Sequence, residues 1–253
     1  MRRRWLRAFR RTPGWLRVAS AVVVLVVVSL AVNWVYQVYR KPTELFFPIS
    51  ARLYKDPAHT WRAYSALFRL HSTPVMTPPL LAALAQVEGS GNPLVRTYWR
   101  LSWTVAPFEI YRPASSAVGM YQITDGTFAE ARHYCIHDHA VATDDTPWYS
   151  PRGCWFNALY MRTVPSDAIE ITSAYLDRRV GEAVRGRPSA PTLREQQRLA
   201  ALIHLCGPGL AGAFVRRGFA PAPGQRCGSH DVRTYLTRVE SLQHTFAALE
   251  VRS

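Results

Sequence analysis

Apolar residues follow two patterns along this chain. The first is a continuous run near the N-terminus, Val18-Ala19-Ser20-Ala21-Val22-Val23-Val24-Leu25-Val26-Val27-Val28-Ser29-Leu30-Ala31-Val32. About twenty such residues, at 1.5 Å each, cross a ~30 Å hydrocarbon layer. Trp15 precedes the run, and Trp34, Tyr36 and Tyr39 follow it, as interfacial aromatics do. The run predicts a transmembrane helix over residues 18–38. A cleaved signal peptide is the rival reading, but the run is long for a signal core and no small-x-small site follows it.

The second pattern is helical spacing with capping signals. Residues 61–70 read as an amphipathic helix inside a proline-punctuated linker, 39–75, where the helix packs on the domain or lies on a membrane surface. From residue 76 onward the helix starts recur. Thr77 precedes Pro78 and Pro79, and Leu80, Leu81, Leu84 and Val87 form one apolar stripe. Thr124 opens a helix to about residue 133, and Ser166 opens one covering 169–184. Thr192-Leu193-Arg194-Glu195 is a capping box whose helix stops at Gly207. Ser229 or Asp231 opens the last helix, with Val232, Tyr235, Leu236, Val239, Leu242 and Phe246 on one face. Alternating strand patterns are scarce. The fold class expected is mainly α, one domain over 76–253 with an irregular stretch at 134–165.

Charge adds direction. The formal net charge is +14, and Arg2, Arg3, Arg4, Arg7, Arg10, Arg11 and Arg17 crowd a basic arm, 1–17, ahead of the apolar run. The positive-inside rule then places the N-terminus in the cytoplasm and everything after about residue 40 outside. The remaining basic excess suits an acidic partner. No nucleic-acid-binding motif is present, so nucleic acid is set aside as that partner. The four cysteines, Cys135, Cys154, Cys206 and Cys227, all follow the span, where disulfides persist. Three pairings are possible. Cys135–Cys154 and Cys206–Cys227 are favoured because each closes a local loop between helices.

Candidate chemistry concentrates at a few points. Glu88 ends the helix over 80–88, and the chain turns at once in Gly89-Ser90-Gly91-Asn92-Pro93. A carboxyl group there faces the negative end of the helix dipole, and partial burial would add to that in favouring the neutral acid. A neutral carboxyl group is what a general acid needs. Gly119-Met120-Tyr121-Gln122 puts a glycine, which lets backbone approach a ligand, beside an amide that donates and accepts. Ile203-His204-Leu205-Cys206-Gly207 is a helix terminus, and Tyr235 is a phenol on an apolar helix face that needs a polar partner. His133, Cys135, His137, Asp138 and His139 crowd together as zinc ligands do, but Cys135 serves better as half of a disulfide, so no metal and no cofactor is expected. No Gly-x-Ser-x-Gly elbow supports nucleophilic hydrolysis.

Taken in order, these segments resemble the lytic transglycosylases of the soluble-lytic-transglycosylase type, relatives of goose-type lysozyme. That family carries Glu-Ser then Asn/Asp-Pro, Gly-Leu-Met-Gln, Ala-Tyr-Asn-x-Gly, and a late helix opening Glu-Thr-x-x-Tyr. Here they stand as Glu88-Gly89-Ser90-Gly91-Asn92-Pro93, Gly119-Met120-Tyr121-Gln122, Ile203-His204-Leu205-Cys206-Gly207-Pro208-Gly209 and Asp231-Val232-Arg233-Thr234-Tyr235. The resemblance covers about residues 76–245. It implies a lysozyme-like helical domain anchored in a bacterial inner membrane and facing the periplasm. It implies cleavage of the β-1,4 bond between N-acetylmuramic acid and N-acetylglucosamine in peptidoglycan strands, leaving a 1,6-anhydro end. Glu88 would be acid, then base. Ser90, Gly119, Met120, Tyr121, Gln122 and Tyr235 would bind substrate or orient Glu88.

The departures are specific. Gly89 replaces the family serine, and His204-Leu205 replaces Tyr-Asn. The gap between Glu88 and Gly119 is about double, and its extra piece, Val95 to Trp103, either lines the cleft or forms a hairpin over the core. A water-using muramidase and a non-catalytic wall-binding module of the same fold are the alternatives.

Overall fold

The structure is a computed structural model describing residues 13–104, 106–144, 150, 153–187 and 189–252; of the basic arm, residues 1–12 lie outside the described ones. The chain divides into two units. Met1–Leu45 with Tyr98–Ala114 make the smaller, and Phe46–Thr97 with Ser115–Ser253 the larger.

The smaller unit is built on α1, Gly14–Arg40, a 27-residue helix long and apolar enough to cross a membrane. It runs a few residues beyond the expected 18–38 at each end, with Pro13 at the N-cap position. The extra piece between Glu88 and Gly119 is a hairpin, β1 (Trp99–Leu101) and β2 (Tyr111–Pro113), paired antiparallel with Leu101 opposite Tyr111. It packs on the last turns of α1. Asn33 Nδ2 donates to the Tyr111 carbonyl at 2.7 Å, and Gln37 Nε2 to that of Phe108 at 2.6 Å.

The larger unit is mainly helical. After a turn of helix, α2 (Phe47–Ser50), come α3 (Pro57–Leu70), α4 (Pro78–Gly89), α5 (Asp125–Ala131), α6 (Pro165–Val184), α7 (Leu193–Cys206), α8 (Ala211–Arg216) and α9 (Val232–Val251). Two further hairpins interrupt them, β3–β4 (Tyr134–His137, Ala140–Thr143) and β5–β6 (Arg226–Cys227, His230–Asp231). The segment 61–70 therefore belongs to the domain: α3 buries Thr60, Trp61 and Phe68, and Trp61 meets Phe246 of α9.

The centre of this unit is α4. The sequence predicts one stripe, but every residue from Pro79 to Gln86 is buried. A helix hydrophobic all round is enclosed on all sides, and α3 and α9 pack along it. Thr77 takes the N-cap position without making a cap bond; its Oγ1 accepts from Gln197 of α7 instead. The capping box at Thr192 and Glu195 forms as predicted, as do the caps at Thr124 and Asp231. Ser166 does not cap α6. Val164 holds that position, and the Ser166 hydroxyl meets His71 Nε2 at 2.8 Å.

Cys135 pairs with Cys154 and Cys206 with Cys227. The irregular stretch 134–165 contains β3–β4 and a short 3-10 segment, Trp155–Leu159; residues 145–149, 151 and 152 lie outside the described ones. Glu170 of α6 gathers it, accepting from Ile136 N at 3.0 Å and from the Tyr160 hydroxyl at 2.7 Å. The histidines of this region have separate partners: His133 meets Asp144 at 2.6 Å and His139 meets the Ser72 carbonyl at 2.9 Å.

Candidate active site

Glu88 sits in the last turn of α4, its side chain 19% exposed while the helix before it is enclosed. The helix ends at Ser90, which is left-handed at φ 48°, and the Ser90 and Gly91 N–H groups return to the carbonyls of Gln86 and Ala85. The turn is held from outside the helix. Buried Gln86 accepts from Thr60 Oγ1 at 2.7 Å and donates to the Lys55 carbonyl at 2.9 Å. Fully buried Asn92 donates to the Ser50 carbonyl at 2.7 Å. Lys55 Nζ donates to the Gly91 carbonyl at 3.1 Å. Asn92-Pro93 is thus a brace that fixes where α4 stops, and so where Glu88 points.

Gly89 is glycine for a reason of space. A Cβ at this position would lie 2.8 Å from the Met120 carbonyl oxygen and 2.9 Å from its Cα. Gly119, at φ 77°, is tighter still: a Cβ there would lie 2.1 Å from the Arg162 carbonyl oxygen. The turn 119–122 is therefore wedged between the end of α4 and Arg162. Its outer bonds close it, Gln122 N to the Gly119 carbonyl at 3.0 Å and a two-way pair between Val118 and Ile123. Met120 and Tyr121 are fully buried, and the Tyr121 hydroxyl donates to the Leu81 carbonyl. These two side chains are core and are not available to a ligand. Gln122, also left-handed at φ 48°, donates to the Gly119 carbonyl at 2.9 Å and lines an adjacent cavity.

Tyr235 comes from the first turn of α9. Its hydroxyl donates to Glu88 Oε1 at 2.5 Å, from 147 residues away along the chain. Burial, and then the neighbouring Glu88, raise the phenol well above its ordinary value, so it stays a donor. His204, in the last turn of α7, brings Nε2 to 3.8 Å from the same oxygen. It sits where the motif that the sequence resembles has tyrosine. The Cys206–Cys227 bond ties the end of α7 to the β5–β6 hairpin that leads into α9, joining the supports of His204 and Tyr235.

A cavity of about 240 Å³ opens beside this group. Gln122, Thr127, Thr172, Tyr175 and His204 are among its lining, and His204 connects it to Glu88. No protein-family model, no curated protein and no solved structure matches the chain.

The chemistry of the site is a single carboxyl group, one phenol donor, one imidazole and a glycine-led turn with an amide beside the cavity. The sequence pointed at Glu88, Gly119, Gln122 and Tyr235, and these four gather around the end of α4. Ser90 joins them as the cap of α4. His204 stands with them too, although its type departs from the motif that the sequence resembles. The signal available was position alone, a polar residue three before Gly207.

His204 also gives the site a pH signature. Burial lowers it below the ordinary imidazole value, against the pull of Glu88 and of a backbone bond at Tyr121. Burial lowers His71 likewise, against Glu170 and Asp167. Both stay neutral in the folded protein to a lower pH than in the unfolded chain, which takes up protons near the ordinary value of about 6.5. Their stabilising contribution is whole above that value and lost as pH falls through the depressed folded values. The expected result is a Tm that declines from pH 7 to pH 5, and a shallower decline in His204→Gln, read by circular dichroism.

Proposed function

We propose that the protein is a membrane-anchored lytic transglycosylase acting on peptidoglycan, with α1 as the anchor and a lysozyme-like helical unit outside the cytoplasm. The observation that carries the reading is the hydrogen bond from Tyr235 to Glu88. A helix-end carboxyl group oriented by a distant buried phenol, beside a cavity, is an arrangement that plain packing does not require.

The mechanism follows from having one carboxyl group at the centre. Tyr235 occupies Oε1, which leaves Oε2 to carry the proton that moves. Glu88 gives that proton to the leaving oxygen of the β-1,4 bond between N-acetylmuramic acid and N-acetylglucosamine. The C1–O bond breaks and an oxocarbenium-like centre forms at C1. The new carboxylate then takes the proton of the same sugar's C6 hydroxyl, whose oxygen closes on C1. The product is a 1,6-anhydro end, and Glu88 is returned to its acid form. Water is not consumed, so no second carboxylate is needed to activate it, unlike the usual paired-acid glycosidases. Gln122 and the backbone of the 119–121 turn hold the glycan. His204, neutral, supplies a polar edge to the cavity without adding a charge beside Glu88.

Mass spectrometry of soluble products from purified peptidoglycan tests the reading. Anhydro-muropeptides support it. Reducing ends would instead mean a water-using muramidase, and binding without release a wall-binding module. Tyr235 is a positioning residue in this account. A hydrogen bond to a charged partner contributes about 1.5–3 kcal/mol, so Tyr235→Phe should slow turnover by roughly tenfold to a hundredfold. KM should move little, and the pH–rate profile should shift, which a merely structural role would not produce.

A further inference from the structure

The hairpin β1–β2 is the part of the chain that the transglycosylase reading leaves unused. It leaves the helical unit after Thr97 and returns at Ser115, its neck closed by Thr97 Oγ1 donating to the Ser115 carbonyl at 3.2 Å. Its contacts with α1 fall on one face. Asn33 and Gln37 donate to hairpin carbonyls, the ring of Tyr36 meets Phe108 at 5.2 Å, and Arg40 pairs with Glu109. The spacing i, i+3, i+4, i+7 is one stripe of a helix. The indole of Trp99 donates to buried Glu44 at 2.9 Å, just after α1 ends.

This stripe has a definite depth. A span of about twenty residues starting anywhere from Gly14 to Val18 ends between Asn33 and Gln37. A polar amide at that level has little water to bond with and needs a protein partner. The hairpin backbone supplies it, so the hairpin must itself lie at that level. Beyond these contacts it carries apolar side chains that are bare. Leu101 is 73% exposed and Trp103 fully exposed, and Ile110 is exposed near them. Arg100, on the opposite face of β1 in register with Arg112, is exposed too. Tryptophan and leucine flanked by arginine make up the surface that settles at the headgroup boundary.

We propose that the hairpin is a membrane-interface element, with Leu101, Trp103 and Ile110 lodged at the headgroup–acyl boundary of the leaflet from which the C-terminal end of α1 emerges. The inference rests on α1 being the membrane anchor. It makes the anchor a two-part device, a helix that spans and a hairpin that lies on the surface and fixes the helix's depth and rotation.

The test uses the full chain in phosphatidylcholine–phosphatidylglycerol vesicles. All cysteines in the structure are in disulfides, so Trp103→Cys or Leu101→Cys accepts a single environment-sensitive fluorophore, and Val26→Cys reports the middle of α1. With lipids spin-labelled at acyl position 5 or 12, the expected result at 103 and 101 is blue-shifted emission. Position 5 should quench it at least twofold more strongly than position 12, and the order should reverse at 26. Quenching at 26 with a water-exposed label at 103 and 101 overturns the hairpin proposal and leaves the anchor standing. Labels at 103 and 101 that are shielded from water yet unquenched mean a protein covers the hairpin, which also overturns it. No quenching at any position overturns the anchor and the hairpin together.

Discussion

Glu88→Gln is expected to cut the release of anhydro-muropeptides by roughly a hundredfold to ten-thousandfold, the usual range for removing a general acid–base group. The substitution is nearly isosteric. The amide oxygen still accepts from Tyr235, the turn at 89–93 is untouched, and α4 keeps its buried length, so Tm should change little. The loss would therefore be chemical. Binding of the variant to insoluble peptidoglycan should persist, since Gln122 and the 119–121 backbone are in place. An unchanged release rate would sink the assignment of Glu88, and with it the proposed mechanism. A variant that binds and releases nothing beside a wild type that also releases nothing would leave a wall-binding module.

Gly119→Ala is expected to be the most damaging change to the fold near the site. Two effects add. Alanine is strained at φ 77°, and its Cβ would sit 2.1 Å from the Arg162 carbonyl oxygen. Arg162 has little freedom to yield. Its guanidinium donates to the carbonyls of Ser116 at 3.1 Å and Ile123 at 2.8 Å, and pairs with Asp125 at 2.7 Å, so it is fastened to the same loop it would have to leave. A cost of about 3 kcal/mol or more follows. That corresponds to a Tm lower by roughly 6–12 °C for a domain of this size. Gly126→Ala is the matched control, since a Cβ there meets nothing within 4 Å and lies in α5. If thermal melts of the two variants coincide, the close approach of the 119–122 turn is wrong. The same geometry sets an expectation for Gly89. A serine at 89 would press on the Met120 backbone, so glycine at 89 and the turn at 120 form a matched pair.

Much of this protein was legible without coordinates because the forces involved are local. α1 follows from counting apolar residues against a hydrocarbon thickness. The helix starts at Thr124, Thr192 and Asp231 follow from side chains that reach a backbone N–H within three residues. The disulfides each close about twenty residues, short enough to infer from loop position. The order of Glu88, Gly119, Gln122 and Tyr235 also marked the site's members. Local rules failed where a distant partner competed for the same group. Ser166 could cap α6 on local grounds, but His71, 95 residues away, takes its hydroxyl. Thr77 is claimed by Gln197 in the same way. α4 read as one stripe on its larger side chains, although its alanines make it apolar all round; that α3 and α9 are what enclose it is set by packing. The extra segment before Gly119 read as cleft or core cover, since only packing reveals that Asn33 and Gln37 on α1 hold its backbone. The sequence by itself determined where most of the helices lie, the caps at Thr124, Thr192 and Asp231, the favoured cysteine pairs and the list of candidate groups, all governed by spacing along the chain. Only the tertiary structure decided that Tyr235 meets Glu88, that His204 stands beside them, and that Gly89 and Gly119 leave room for one tight turn. Those facts depend on burial and contact between segments that nothing in the local sequence connects.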